Sequence, residues 1–300
     1  MRYIIHLLLS ALFLLSPLWE LQGQEEKLNY GRTPDELVPY GQFQKAYKNF
    51  FDDVQEFTGA GREKPEPTGL SEVRIGLLGP LEGSVLVPQG IQMLQGVTLA
   101  AEEANNRGGY KGLPFTILPH NDVGLWGAAA NEVVKMDDEK VWAIIGTIDD
   151  INSHVAIRVA LKLEIPVVNT SDPDPTFTET RIPWVIRCIS DDRASSYALV
   201  NYIYREKKHS RVAVLRADNR YGRVGIMEFR DAALRLGYPL VLEVRFADGE
   251  TSFTTQIERI INSEPDAVVL WGNAKETALI LKQMREMGMQ QPIYGSDRLV

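Results

Sequence analysis

The sequence predicts an α/β protein built as two doubly wound parallel-sheet lobes joined by a hinge. Three observations lead there. Strand-like and helix-like runs alternate from Val73 to the last residues. Several strand-like runs, such as WAIIG and AVVLWG, are continuously apolar, as parallel strands buried on both faces must be. A Pro-, Thr- and Asp-rich boundary near residues 178–192 divides the alternation into two halves.

The N-terminus is read first as an address. Met1-Arg2 precedes an apolar core from Ile4 to Leu15 and then Ser16-Pro17. That core is short for a membrane span of ~20 residues, so 1–23 is expected to be a secretory signal peptide cleaved after Gly23. Residues 24–72 read as an extension. Phe43, Ala46, Tyr47, Phe50, Phe51, Val54 and Phe57 recur at helical spacing, and prolines at 34, 39, 65 and 67 bracket them. A short amphipathic helix that packs on the main body is expected.

The first lobe is expected over 73–190. Its strands are Val73–Leu78, Phe115–Pro119, Val141–Gly146 and Val167–Asn169. Between them lie a helix with the stripe Leu94, Val97, Ala101 and Ala104, stopped at Gly108-Gly109, then helices over Trp126–Asp138 and Ser153–Leu163. The second lobe is expected over 191–300. Its strands are Val212–Arg216, Val241–Phe246, Ala267–Gly272 and Ile293–Tyr294. Its helices are Arg193–Lys207, Arg223–Leu236, Ser252–Ser263 and Lys275–Met287. Repeated βαβ units with right-handed crossovers give doubly wound sheets. This lobe stops at YGSDRLV just after a strand, so it reads as incomplete, the N-terminal part of a longer protein.

Composition narrows the function. Of the 300 residues, 44% are hydrophobic and 24% charged, which fits a packed core. A net charge of −8 argues against nucleic acid, which needs a basic face. Cys188 is the single cysteine, so an intrachain disulfide is excluded; within WVIRCI it is expected to be a buried core thiol.

The sequence carries none of the common reactive motifs. The loop GPLEGSVLVPQG follows the first strand, but Gly76, Gly79 and Gly83 lack dinucleotide spacing and Pro80 removes a donor. Neither a P-loop nor a G-x-S-x-G elbow occurs. His120, His154 and His209 are dispersed without metal-ligand spacing. No catalytic residue, metal or cofactor is therefore expected. His120 lies at a strand end and reads as a satisfied surface or hinge histidine, with a place near a cleft as the alternative. Asp149-Asp150, Asp172/Asp174 and Asp297 each follow a strand, where a cleft opens in such sheets. Helix capping or a turn is the bland reading of the first two groups, and acid/base work the sharper one.

The order IGLLGPLEGS, GVTLAAEEANNRGGYKG, VWAIIG, IPVVNTSDPDPTFTE, VAVLRADNRYGRVG and IYGSD resembles the type I periplasmic solute-binding proteins, in particular the branched-chain amino acid (Leu/Ile/Val) branch of ABC importers. The resemblance runs from Val73 to the end. It implies two lobes that close on a small solute, a membrane permease as partner, a monomer, a periplasmic location and no reaction. It also implies roles. Tyr221 lines the second-lobe side of the cleft, and Asp297 receives the ligand's ammonium group. Asn273 or Ala274 faces the ligand, and Ser171 offers its backbone carbonyl. By position, Gln89 and Ile148 join them, with Leu86 and Trp271 as further wall residues.

The sequence departs from the pattern where the family presents Ser and Thr hydroxyls to a ligand carboxylate; here those positions are Asp150 and Pro173. An aspartate repels a carboxylate and a proline donates nothing. An amide or amine is therefore expected rather than an ordinary amino acid, with Thr147 and Ser153 as displaced hydroxyls. Rival readings are a sensory ectodomain on the same fold and an extracytoplasmic enzyme using the aspartates. A DNA-binding repressor of this fold would begin with a helix-turn-helix instead.

Overall fold

The computed structural model describes residues 68–179, 182 and 184–299. The expected signal peptide and the 43–57 helix lie outside them. The alternation predicted from the sequence is present. In chain order the elements are β1 (Val73–Gly79), α1 (Val87–Asn106), β2 (Phe115–Asn121), α2 (Trp126–Asp138), β3 (Ala143–Gly146), α3 (Asp150–Leu163), β4 (Val167–Asn169), α4 (Thr176–Glu179) and β5 (Val185–Arg187). There follow α5 (Asp192–Val200), which continues as a π-helical turn over Asn201–Glu206, then β6 (Val212–Ala217), α6 (Arg220–Arg235), β7 (Leu242–Phe246), α7 (Thr254–Asn262), β8 (Ala267–Trp271), α8 (Ala274–Glu286) and β9 (Ile293–Gly295). A 3₁₀ turn at Asp297–Leu299 follows.

These strands form two parallel sheets. The first has the order β2-β1-β3-β4-β5 and the second β7-β6-β8-β9. Each sheet grows the same way: its first strand takes the second on one side and the third on the other. The crevice of a doubly wound sheet opens where the strand order reverses, between β1 and β3 and again between β6 and β8. The two lobes are thus repeats of one design, and their cleft-facing loops follow β1, β3, β4, β6, β8 and β9.

The second sheet is packed on both faces. Val212, Val214, Val269 and Trp271 point to one core with Ile226 and Phe229 of α6, while Ala213, Leu215, Val268 and Leu270 point to the other with Ile257 and Ile280. Burying each large aliphatic side chain contributes about 1.5–3 kcal/mol. Gly225 lets α6 approach the sheet closely, since a Cβ there would overlap the Trp271 ring. In the first lobe, Leu78, Ile144 and Val167 pack against Val133 and Met136 of α2 and Ala156, Ile157 and Ala160 of α3.

Three expectations change. A fifth strand, β5, lies inside the segment read as a boundary; three residues on a sheet edge leave little hydrophobic pattern. Helices α3 and α6 begin three residues earlier than expected, because Asp149 and Asn219 cap them and leave Asp150 and Tyr221 in their first turns. Cys188 is exposed rather than a core thiol. It follows an edge strand paired on one side alone, so the apolar run WVIRCI does not enter the core.

Candidate functional site

Apart from Trp271 at the end of β8, each residue expected to face the ligand sits on a loop or first helical turn after a strand. Asp149 is the α3 cap, its carboxylate accepting from the backbone N–H of Ile151 (2.7 Å) and Asn152 (3.1 Å). Capping therefore falls to Asp149 and leaves Asp150 free of it. Asn219 accepts from the Gly222 N–H (2.9 Å), which sets Tyr221 at the head of α6. Gln89 is held in the first turn of α1, which lies tight on the β1 loop: a Cβ at Gly90 would strike the Pro80 carbonyl.

The structure separates the predicted set into two layers. Gln89, Ile148, Ser171, Asn273 and Asp297 line a groove of about 1190 Å³, together with Leu86, Ala274 and apolar residues of the first sheet such as Ile117 and Ile145. Asp150 and Tyr221 are outside that lining and almost wholly buried. Trp271 is not a wall residue; it is in the second-lobe core, its ring 6.2 Å from that of Tyr221. Thr147 and Ser153 bond each other (2.8 Å), and both hydroxyls reach the Asp149 carbonyl (2.9 Å each), so they are held within the first lobe. His120 lies apart, between Glu132 (2.7 Å) and Glu139 (3.0 Å).

Two arginines that the sequence analysis did not single out cross between the lobes. Arg298 stacks on the Tyr221 ring, its guanidinium carbon 3.7 Å from the centroid. It donates to Asn273 Oδ1 (3.2 Å) and, across the cleft, to the Ile148 carbonyl (3.4 Å). Arg220 donates to Asp174 through both Nε (2.8 Å) and Nη2, and its Nε is 3.8 Å from Asp150. Tyr221 donates its hydroxyl to Asp297 Oδ1 (3.0 Å).

Around these arginines stands a set of buried carboxylates. Burial pushes Asp172 up to about 7, and the Asp150 charge adds to the push. Burial also raises Asp150, with the Arg298 charge opposing it. Burial raises Asp192 well above the carboxylate range, with Asp297 acting the same way. Asp174 goes the other way: burial works to raise it, but hydrogen bonds from Thr176 and the Arg220 charge outweigh burial and hold it low. Asp192 was also missed. It is 1% exposed and heads α5, and neither carboxylate oxygen has a hydrogen-bond partner. No group of three or more His, Cys, Asp or Glu among the described residues is placed to hold a metal ion.

The chain matches a family model described as periplasmic binding protein over residues 72–298. It is 25% identical over 237 residues to the Leu/Ile/Val-binding protein BraC3 of Rhizobium johnstonii, covering 78% of this chain and 63% of that one. It is 27% identical over 235 residues to an amino acid binding protein of Pseudomonas aeruginosa, covering 77% and 62%. Among solved structures it is similar to the leucine binding protein LivK of Thermotoga maritima, with a TM-score of 0.67, 25% identity and coverage of 76% and 64%. It shares its fold with LivJ of Streptococcus pneumoniae, solved with isoleucine, at a TM-score of 0.68, 23% identity and coverage of 75% and 64%. The chain thus spans a little under two thirds of the length of these relatives.

Proposed function

The chain belongs to the periplasmic binding protein family, and on that premise we propose that it is an extracytoplasmic solute-binding receptor of an ABC importer. It takes a small amide, amine or amino-acid-like solute between its lobes, delivers it to a membrane permease and performs no reaction. The names of its relatives, amino acid and Leu/Ile/Val-binding proteins, support the solute class in outline. The observation that carries the reading is the convergence of both lobes on one cleft. Gln89, Ile148 and Ser171 line it from the first lobe and Asn273 and Asp297 from the second, with Asp150 and Tyr221 buried outside that lining. Tyr221 and Asp297 form a hydrogen-bonded pair suited to an N–H donor. Asp150 has no hydrogen bond to its Oδ2, and the resemblance implies a carboxylate-binding hydroxyl at this position. Hinge closure on such a solute is driven by contacts made in the closed form alone.

A thermal-shift screen over amino acids, amides, amines and small aromatic acids tests this. A solute at 100 times its Kd stabilises by about 2.7 kcal/mol. In a unit of this size that is a Tm rise of roughly 5–10 °C. A panel without any such rise would refute the receptor reading. Tight binding of leucine or valine by calorimetry would keep the receptor and refute the preference for an amide or amine.

A further inference from the structure

We infer that the cleft is built for a small organic cation with a planar, N–H-rich head, a guanidinium or amidinium, and that the chain's own Arg298 occupies that place in this structure. The inference rests on the receptor reading above and names its ligand class.

The geometry around Arg298 carries it. The guanidinium carbon lies over the Tyr221 ring, 3.7 Å from its centroid, the arrangement by which an aromatic face holds a cation. Its donors reach acceptors from both lobes, Asn273 Oδ1 in one and the Ile148 carbonyl in the other. A planar fork with several N–H groups suits that spread of acceptors, whereas a compact ammonium does not. Arg298 also lines the groove, while Tyr221 and Asp150 lie outside its lining; the guanidinium therefore covers the inner layer.

Charge supplies the second, independent observation. Arg220 is committed to Asp174, and Asp297 accepts from Tyr221. Asp192 stays 1% exposed with both oxygens unpartnered. Its backbone N–H donates to the Pro173 carbonyl (2.7 Å), and the charges of Asp297, Arg298, Asp150 and Asp174 all act on it, so it belongs to the same charged cluster. A neutral solute that displaced Arg298 would remove the cation that favours the charged forms of Asp150 and Asp192, leaving Arg220 beside Asp150 and driving both acids further toward protonation. A cationic solute replaces the charge it removes and keeps a positive group acting on Asp192, as Arg298 does now.

Arg298 then acts as a tethered competitor. It lowers apparent affinity by the fraction of molecules in which it holds the site, and removing it lifts that penalty. The test is calorimetry of wild type, R298A and R298A/D192N with N-methylguanidine, acetamide and leucine as cationic, neutral and zwitterionic probes. R298Q removes the charge while keeping part of the aliphatic stem and serves if R298A loses its native melting transition. The expected result is that R298A binds N-methylguanidine at least tenfold more tightly than wild type does, and more tightly than it binds acetamide. D192N should remove most of that gain. If R298A prefers acetamide or leucine, or loses leucine binding that wild type shows, Arg298 anchors a different ligand; the inference falls and the receptor reading stands. An unchanged N-methylguanidine affinity in R298A/D192N also overturns it. If none of the three probes binds any variant, the inference falls, and the receptor reading falls with it when the broader thermal-shift panel is empty too.

Discussion

Replacing Asp172 by asparagine should make the protein more stable, and the gain should grow with pH. Asp172 is 0% exposed, and its Oδ2 has no hydrogen-bond partner. Its Oδ1 accepts from the Asp174 N–H at 2.9 Å, a bond that an amide oxygen keeps. Burial raises the folded-state pKa from an ordinary 3.8 to about 7. In the unfolded chain the acid is deprotonated above ~4, while the folded protein retains its proton up to about 7. The folded form therefore binds more protons across that window, and stability falls as pH rises from about 4 to about 7. At ~1.4 kcal/mol per pKa unit, the full cost above pH 7 is about 4 kcal/mol. Asparagine carries no charge at any pH, so it resembles the protonated acid and avoids this cost. Urea denaturation of wild type and D172N at pH 4.5, 6 and 8 measures the gap. The gap should be small at pH 4.5 and should open to a few kcal/mol at pH 8, or a Tm difference on the order of 10 °C. An equal gap at pH 4.5 and pH 8, or a D172N protein less stable at pH 8, would refute the reasoning.

Two further outcomes follow from packing and exposure. Gly225→Ala should cost ~3 kcal/mol, since the new Cβ lands on the buried Trp271 ring and overpacking costs of this kind run to about 1–3 kcal/mol or more; a lowered Tm with an altered near-ultraviolet Trp signal checks it, and an unchanged Tm contradicts the packing. Cys188 should react with a thiol reagent in the folded protein at a rate close to that of an unfolded control, because it lies exposed beyond an edge strand; protection until denaturant is added would restore the buried reading.

The fold was legible because its signals are local. Continuous apolar runs such as Ala267–Trp271 can be read as buried strands, and they are buried. Element ends were less legible, because caps act through side chains: Asp149 and Asn219 extended two helices back by a turn each. The edge strand Val185–Arg187 was hidden by its brevity and by one-sided pairing. The same hydrophobic logic misplaced Cys188, since an apolar run on an edge need not enter a core.

Most of the expected site residues came from the resemblance to the family, and their positions after strands agreed with it. What sequence could not give was the depth of each. Asp150 and Ser171 looked alike as loop residues, yet one is buried and the other lines the groove. Arg220 and Arg298 adjoin Tyr221 and Asp297 in NRYGR and YGSDR, so a basic neighbour of each predicted residue was the available signal. Asp192 carried no signal: its burial depends on α5 meeting the Pro173 carbonyl, a contact between segments.

The order of the strands bears on how the chain is made. Among the described residues, the five strands of the first sheet come from residues 73–187 and the four of the second from 212–295. In each sheet the founding strand is also the first synthesised, and later strands add beside it or outward. At ~5–20 residues per second, a ribosome takes at least a second to pass from β5 to the start of β6. Strands β1 to β5 can therefore pair with one another before β6 to β9 leave the ribosome.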